Sequence, residues 1–263
     1  MSAFSLTKWY VDCVDAAGNT AIAYWSAIAW RGVEFTWHSI SLHETGAEPF
    51  TRSSAKSVPP PTSADGTITW DADPLKCRLT CHSRDQAFSK RLLERDEGVV
   101  DWRCEAVRGR VSVECDGRRI LHGIGYAECL TMTLPPWRLP IDTLRWGRWL
   151  SDSSDRSVVW IDWQGPHPLT AVFVDGHLHH TGIVSDEGVE TGGAVVTLAD
   201  RHTLYSRSLV DTLGVLRPVL DPLLPPAWLA LEDHKWRSRG TLSAEGRSND
   251  TGWVIHETLK WPS

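Results

Sequence analysis

Short runs of alternating apolar and polar residues recur along this chain, closed off by Asp-Gly dipeptides and by clusters of proline. Asp-Gly accepts the left-handed backbone of a tight two-residue hairpin, so one placed between two alternating runs predicts antiparallel strands on either side. Asp116-Gly117 lies between Val107–Glu114 and Arg119–Leu130, and Asp175-Gly176 lies between Leu169–Val174 and His177–Val184. Trp9–Asp15, Thr20–Trp30 and Gly32–His38 open the chain in the same manner, and Thr67–Asp71 and Leu75–His82 resume it. Ser157–Trp163, Val195–Leu198, Thr203–Ser206, Trp236–Ser243 and Trp253–Lys260 carry it to the end. Only Asp85–Arg95 has a spacing that suits a helix, and it suits a charged loop equally well. Many short strands and few helices predict an all-β fold of sandwiches or barrels.

Proline marks the larger divisions. A Ser/Pro/Thr-rich loop covers Thr51–Ser63, and Leu213–Trp228 reads as a Pro-rich connection. The run Leu134-Pro135-Pro136-Trp137-Arg138-Leu139-Pro140 is the natural boundary. It gives two β-rich halves, 1–134 and 135–263, with no clear sequence repeat between them. A chain of 263 residues is long enough for both to bury cores.

Charge excludes some partners. A net charge of −6 and a pI near 6.0 are wrong for a nucleic-acid binder, which needs a basic face. No Lys/Arg cluster marks a membrane-surface patch, although a looser peripheral membrane contact stays open. The first residues lack the apolar core of a signal peptide, and the longest apolar run, Ala21–Trp30, is too short to span a bilayer. The reading is a soluble, cytoplasmic protein, with oligomeric state left open. In that compartment the six cysteines are expected as free, buried thiols. Cys77, Cys81 and His82 hint at metal, as do His177 and His179, but neither set has a further ligand at metal-site spacing, so no metal is expected. Gly-rich phosphate loops, nucleophile elbows and zinc-protease motifs do not occur, and no cofactor is expected.

Two features point to chemistry. Fifteen tryptophans, against five Phe and four Tyr, suit aromatic cores or a flat-walled hydrophobic pocket whose indole faces steady a cation. The stretch His122-Gly-Ile-Gly-Tyr126-Ala-Glu128 reads as a strand whose alternation puts Ile120, His122, Ile124, Tyr126 and Glu128 on one face unless a glycine bulge intervenes. A carboxyl facing apolar walls holds its proton more tightly and suits a general acid. A structural Glu is the competing reading, and Trp102 and Tyr126 taken alone are core residues more often than catalysts.

Read in order, several segments resemble the carotenoid 1,2-hydratase (hydroxyneurosporene synthase) family and its wider lipocalin-like group of hydratases and cyclases. Trp9-Tyr10-Val11-Asp12 is similar to the family's Trp-Tyr-x-Asp opening, and Thr69-Trp70-Asp71-Ala72-Asp73-Pro74-Leu75 to its Trp-Asp-x-Asp stretch. Trp102–Val113 resembles the strand before the signature, and Gly125-Tyr126-Ala127-Glu128 falls where the family carries Gly-Tyr-x-Asp. Leu231-Glu232-Asp233, Arg237-Ser238 and His256-Glu257-Thr258-Leu259 resemble its closing pattern. The resemblance implies two lipocalin-like (calycin-like) β-barrel domains and a cofactor-free reaction on a hydrophobic isoprenoid or polyene.

On that reading Glu128 is the proton donor, Tyr126 bonds the carboxyl group or the water, and Trp102 faces the cation. His122 would receive the water's proton, standing in for a family histidine whose place Val100 takes here. Trp25, Trp37, Trp146 and Trp160 are the further candidates for lining the substrate. Acid-initiated hydration of a C=C bond leads, a cyclase or pericyclase is the rival, and a non-catalytic binder of hydrophobic molecules is the third reading. Glu232, Asp233, His256 and Glu257 are expected to form a buried polar network.

Overall fold

The computed structural model describes residues 4–83, 85–208 and 230–261. The chain divides into two compact units, Met1–Pro136 and Trp137–Ser263, and both are antiparallel β-sheet. The first unit contains β1 (Ser5–Val14), β2 (Thr20–Trp30), β3 (Val33–His43), β4 (Phe50–Ser54) and β5 (Thr62–Ala64). It continues with β6 (Thr67–Ala72), β7 (Cys77–Ser83), β8 (Phe88–Arg95), β9 (Gly98–Cys115) and β10 (Arg118–Met132). The second contains β11 (Thr143–Ser151), β12 (Ser157–Gln164), β13 (Leu169–Val174), β14 (His177–His179) and β15 (Ile183–Val184). It closes with β16 (Gly188–Thr191), β17 (Ala194–Ser208), β18 (Glu232–Ala244) and β19 (Asp250–Lys260). The Pro-rich connection Leu213–Trp228 lies outside the described residues.

The two sheets share one plan. Their strand orders are β4-β3-β2-β1-β10-β9-β7-β6-β5, with β8 on β9, and β14-β13-β12-β11-β19-β18-β17-β16-β15. In each, the unit's first strand pairs with its last, and the others fan outwards. The turns behave as the sequence demands: Asp116-Gly117 and Asp175-Gly176 both take positive φ, at 52° and 72° and at 50° and 78°. Asp85–Arg95 supplies no helix. Its last eight residues form β8, because pairing with β9 satisfies their backbone groups and overrides a weak local periodicity.

Each sheet curls over an apolar core. In the first unit His38 of β3 meets Trp70 of β6 edge-on at 5.9 Å, although the two strands are far apart in the sheet order. The core they enter holds Trp9, Val11 and Cys13 from β1 and Ala21, Ala23 and Trp25 from β2. In the second unit Trp149, Val158, Trp160 and Val172 meet Val189, Val196, Leu242 and Val254.

One cysteine expectation is overturned. Cys77 and Cys115 form a disulfide, whereas Cys13, Cys81, Cys104 and Cys129 are free and buried. The two bonded residues are 38 apart in sequence but lie directly opposite each other on β7 and β9. Only strand register brings them together.

Candidate active site

Along β1 the odd residues enter the core, so Lys8, Tyr10 and Asp12 occupy the opposite face of the sheet. On β10 the same face carries Tyr126 and Glu128. Register places Tyr10 opposite Glu128 and Asp12 opposite Tyr126. β9 contributes Cys104 opposite Glu128 and Trp102 opposite Leu130. Two register shifts in the β9–β10 pairing fall beside Ala127, directly next to Glu128. Bulges of this kind re-aim side chains and recur beside active sites.

Glycine makes the approach of β1 feasible. A Cβ on Gly125 would meet the Asp12 carbonyl oxygen at 1.9 Å, and one on Gly123 would meet the Val14 carbonyl oxygen at 2.1 Å.

The resulting cluster is compact. Glu128 Oε2 accepts the indole N–H of Trp102 at 2.6 Å and the Tyr126 hydroxyl at 2.7 Å. The Cys104 thiol hydrogen-bonds Tyr126 in turn. Burial, then the nearby Cys104 and Glu128, push the Tyr126 hydroxyl well above its ordinary pKa, and burial does the same to Cys104. Both groups therefore keep their protons at working pH. Phe88 packs edge-on against Trp102 at 5.5 Å. A diagonal of rings leads away from the cluster: Tyr126 to Tyr10 at 6.3 Å, Tyr10 to Tyr24 at 5.3 Å, and Tyr24 to Trp37 at 6.4 Å.

Of the residues singled out in the sequence, Glu128, Tyr126 and Trp102 converge, and Trp37 stands at the far end of the ring row. His122 does not join them. It is exposed and six residues up the strand from Glu128, roughly 20 Å away at about 3.4 Å per residue. Ile120 leaves the face as well and packs on the apolar core, because the register shifts between Arg119 and Leu121. Trp25 points into the core, where its indole N–H donates to the Val58 carbonyl at 3.0 Å. Sequence reading gave no site role to Tyr10, Tyr24, Phe88, Cys104 or Lys8; alternation sorts their faces, but only register sets them relative to Glu128.

The second unit carries a related arrangement. Glu257 on β19 holds the place that Glu128 holds on β10, on its unit's last strand, with an aromatic residue opposite it on the first: Trp146 for Glu257, Tyr10 for Glu128. Its partner on β18 is Lys235, which is ion-paired to it, almost fully buried, and seated 4.9 Å from the Trp146 ring centre. Trp160 lies on the other face, in the core of this unit. The four-residue polar network does not form, because neighbours on a strand face opposite ways. His256 turns inward to Ser238 Oγ at 3.0 Å and stacks on Trp236 at 5.2 Å, while Glu232 is exposed beside His234. Burial, reinforced by Arg201 and Lys235, lowers the His256 pKa to about 3.

The fold is that of kievitone hydratase from Nectria haematococca. The two superpose with a TM-score of 0.57 over 98% of this chain and 89% of that one, at 8% sequence identity. CghA, solved with Sch210972, superposes with a TM-score of 0.59 over 99% of this chain and 89% of its own, at 10% identity. No protein-family model and no curated protein matches the sequence. Among the described residues no group of three or more His, Cys, Asp or Glu is arranged to hold a metal ion, and no helix is long and apolar enough to cross a membrane.

Proposed function

We propose that this protein is a cofactor-free enzyme of the hydratase/cyclase type that acts on a hydrophobic isoprenoid or polyene, with acid-initiated hydration of a C=C bond as its reaction. The observation that carries this reading is a single carboxyl oxygen, Glu128 Oε2, receiving both the Trp102 indole N–H and the Tyr126 hydroxyl. With Oε2 occupied as an acceptor, the acidic proton belongs on Oε1. Transfer of that proton to one alkene carbon leaves a carbocation on the other and a carboxylate on Glu128, whose new charge the two donors already face. Water then adds to the cation, and the carboxylate takes back the proton the water loses. The sum is alkene plus water to alcohol, with Glu128 restored and no second base required, which matters because His122 is out of reach. The rings of Trp102, Tyr126 and Phe88 make the surroundings of the carboxyl apolar.

A cyclisation reading draws on a different observation. The row of rings from Tyr126 through Tyr10 and Tyr24 to Trp37 offers apolar surface on which a polyene is held in a ring-closing conformation without any activated water.

The test is mass spectrometry of products from acyclic carotenoids, shorter isoprenoids and linear polyenes in ordinary and oxygen-18 water. Hydration predicts a product one water heavier that carries the label, and its loss by roughly 10²–10⁴-fold in Glu128→Gln. A product of unchanged mass and new retention time would mean cyclisation. Tight binding with no turnover, unaffected by Glu128→Gln, would leave a binding protein.

A further inference from the structure

Where β9 turns into β10, a cavity of about 520 Å³ opens in the first unit, lined by Leu42, Phe50, Arg52, Cys115, Asp116 and Ile120 among others. It lies on the face of the sheet away from Glu128, because Leu42 and Ile120 pack against the core. Arg52 spans it. The residue stands directly opposite Ile40, a core residue, so its side chain leaves β4 on the core face. Its guanidinium donates from Nη1 to the Leu75 carbonyl at 2.8 Å and from Nη2 to Asp116 Oδ2 at 2.6 Å. β4 is one edge of the sheet, and β3, β2, β1 and β10 separate it from β9 and β7 along the strand order. The Arg52 side chain is thus a strap from that edge to the opposite wall of the curled sheet.

Both anchors of the strap sit beside the disulfide. Leu75 is two residues before Cys77, and Asp116 directly follows Cys115. Cys77 and Cys115 form the last pair of the β7–β9 ladder, and beyond it the Asp116 N–H donates to the Lys76 carbonyl at 2.8 Å. A ladder end frays more easily once a covalent tie is gone. We propose that the Cys77–Cys115 bond is a redox latch on this mouth: oxidised, it keeps both anchors in place for Arg52, and reduced, it lets the strap go and frees the β4 edge. Cys115 lines the cavity, so a dithiol reaches the bond from that side. One thiolate of the reductant attacks a sulfur of the bond, and its second thiol completes the exchange. The dithiol gives up two electrons and two protons and leaves as a disulfide, while Cys77 and Cys115 become thiols. The latch is separate from the chemistry at Glu128.

Hydrogen exchange read by mass spectrometry on the whole chain, with and without dithiothreitol, tests this. Thiol alkylation after quenching verifies that the bond is gone. The expected result is exchange about tenfold or more faster in β4 after reduction, the size of one charge-assisted hydrogen bond, with β18 and β19 unchanged. Reoxidation should restore the slow rate. Arg52→Met should show the fast β4 rate with the disulfide intact, and reduction should add little to it there. A β4 rate that stays the same once the bond is reduced would overturn the proposal, as would a bond that dithiothreitol leaves intact in the folded protein. So would a β4 acceleration on reduction as large in Arg52→Met as in the wild type, or one spread equally over β18 and β19. The wild-type comparison alone decides the matter if Arg52→Met does not fold.

Discussion

At the residue scale, Tyr126 is the hinge of the cluster because its one hydroxyl serves two neighbours. It donates to Glu128 and also hydrogen-bonds Cys104, and it is fully buried. Tyr126→Phe should therefore cost about 1–3 kcal/mol of stability by orphaning buried polar groups, and should lower turnover tenfold or more. Denaturant titration and kinetics check the two parts separately. Trp102→Phe keeps most of the packing against Phe88 but removes the second donor to Glu128. Its expected signature is a loss in kcat with little change in stability. His256 gives a pH prediction. Burial holds its folded pKa at about 3, below the ordinary 6.5, so it is neutral in the fold while the unfolded chain binds a proton below pH 6.5. Stability should fall as pH drops through the window from about 6.5 to about 3, at up to roughly 1.4 kcal/mol per pH unit. His38, also lowered by burial, adds to the fall in the same direction. His256→Gln should flatten the profile in urea titrations across that range.

At the element scale, the site depends on how closely β1 can lie against β10. Gly125 and Gly117 separate two uses of glycine. A Cβ at Gly117 meets nothing within 4 Å, so Gly117→Ala there costs only the positive-φ penalty, about 1 kcal/mol. At Gly125 the same methyl would strike the Asp12 backbone. Gly125→Ala should destabilise by about 3 kcal/mol or more, the range of substitutions that overpack a core, and should disturb Tyr126 and Glu128 with it. A thermal-shift comparison of the two variants decides the point, and equal shifts would count against it. The motif around Tyr126 is thus glycine-rich for steric reasons, independent of any chemistry at Glu128.

At the scale of the whole molecule, the two units share a strand order but are held differently. The first has the Cys77–Cys115 bond closing a 38-residue loop, which in the loop-entropy model is worth about 4 kcal/mol. Reduction should raise hydrogen exchange in β7 and β9 and leave β18 and β19 unchanged; uniform change along the chain would contradict this. The all-β class and the hairpins at Asp116-Gly117 and Asp175-Gly176 were legible in the sequence, because alternation and left-handed turns are local properties. So was the pairing of Tyr126 with Glu128, two residues apart on one strand. What the sequence did not contain was anything fixed by register: the disulfide, the strand at Phe88–Arg95, and the bulges that bring Trp102 and Cys104 to Glu128. Each depends on which residue of one strand lies opposite which residue of another, and a slip of one position would turn every side chain to the other face. Local chemistry chose the strands and the candidate acid, whereas tertiary pairing chose its neighbours.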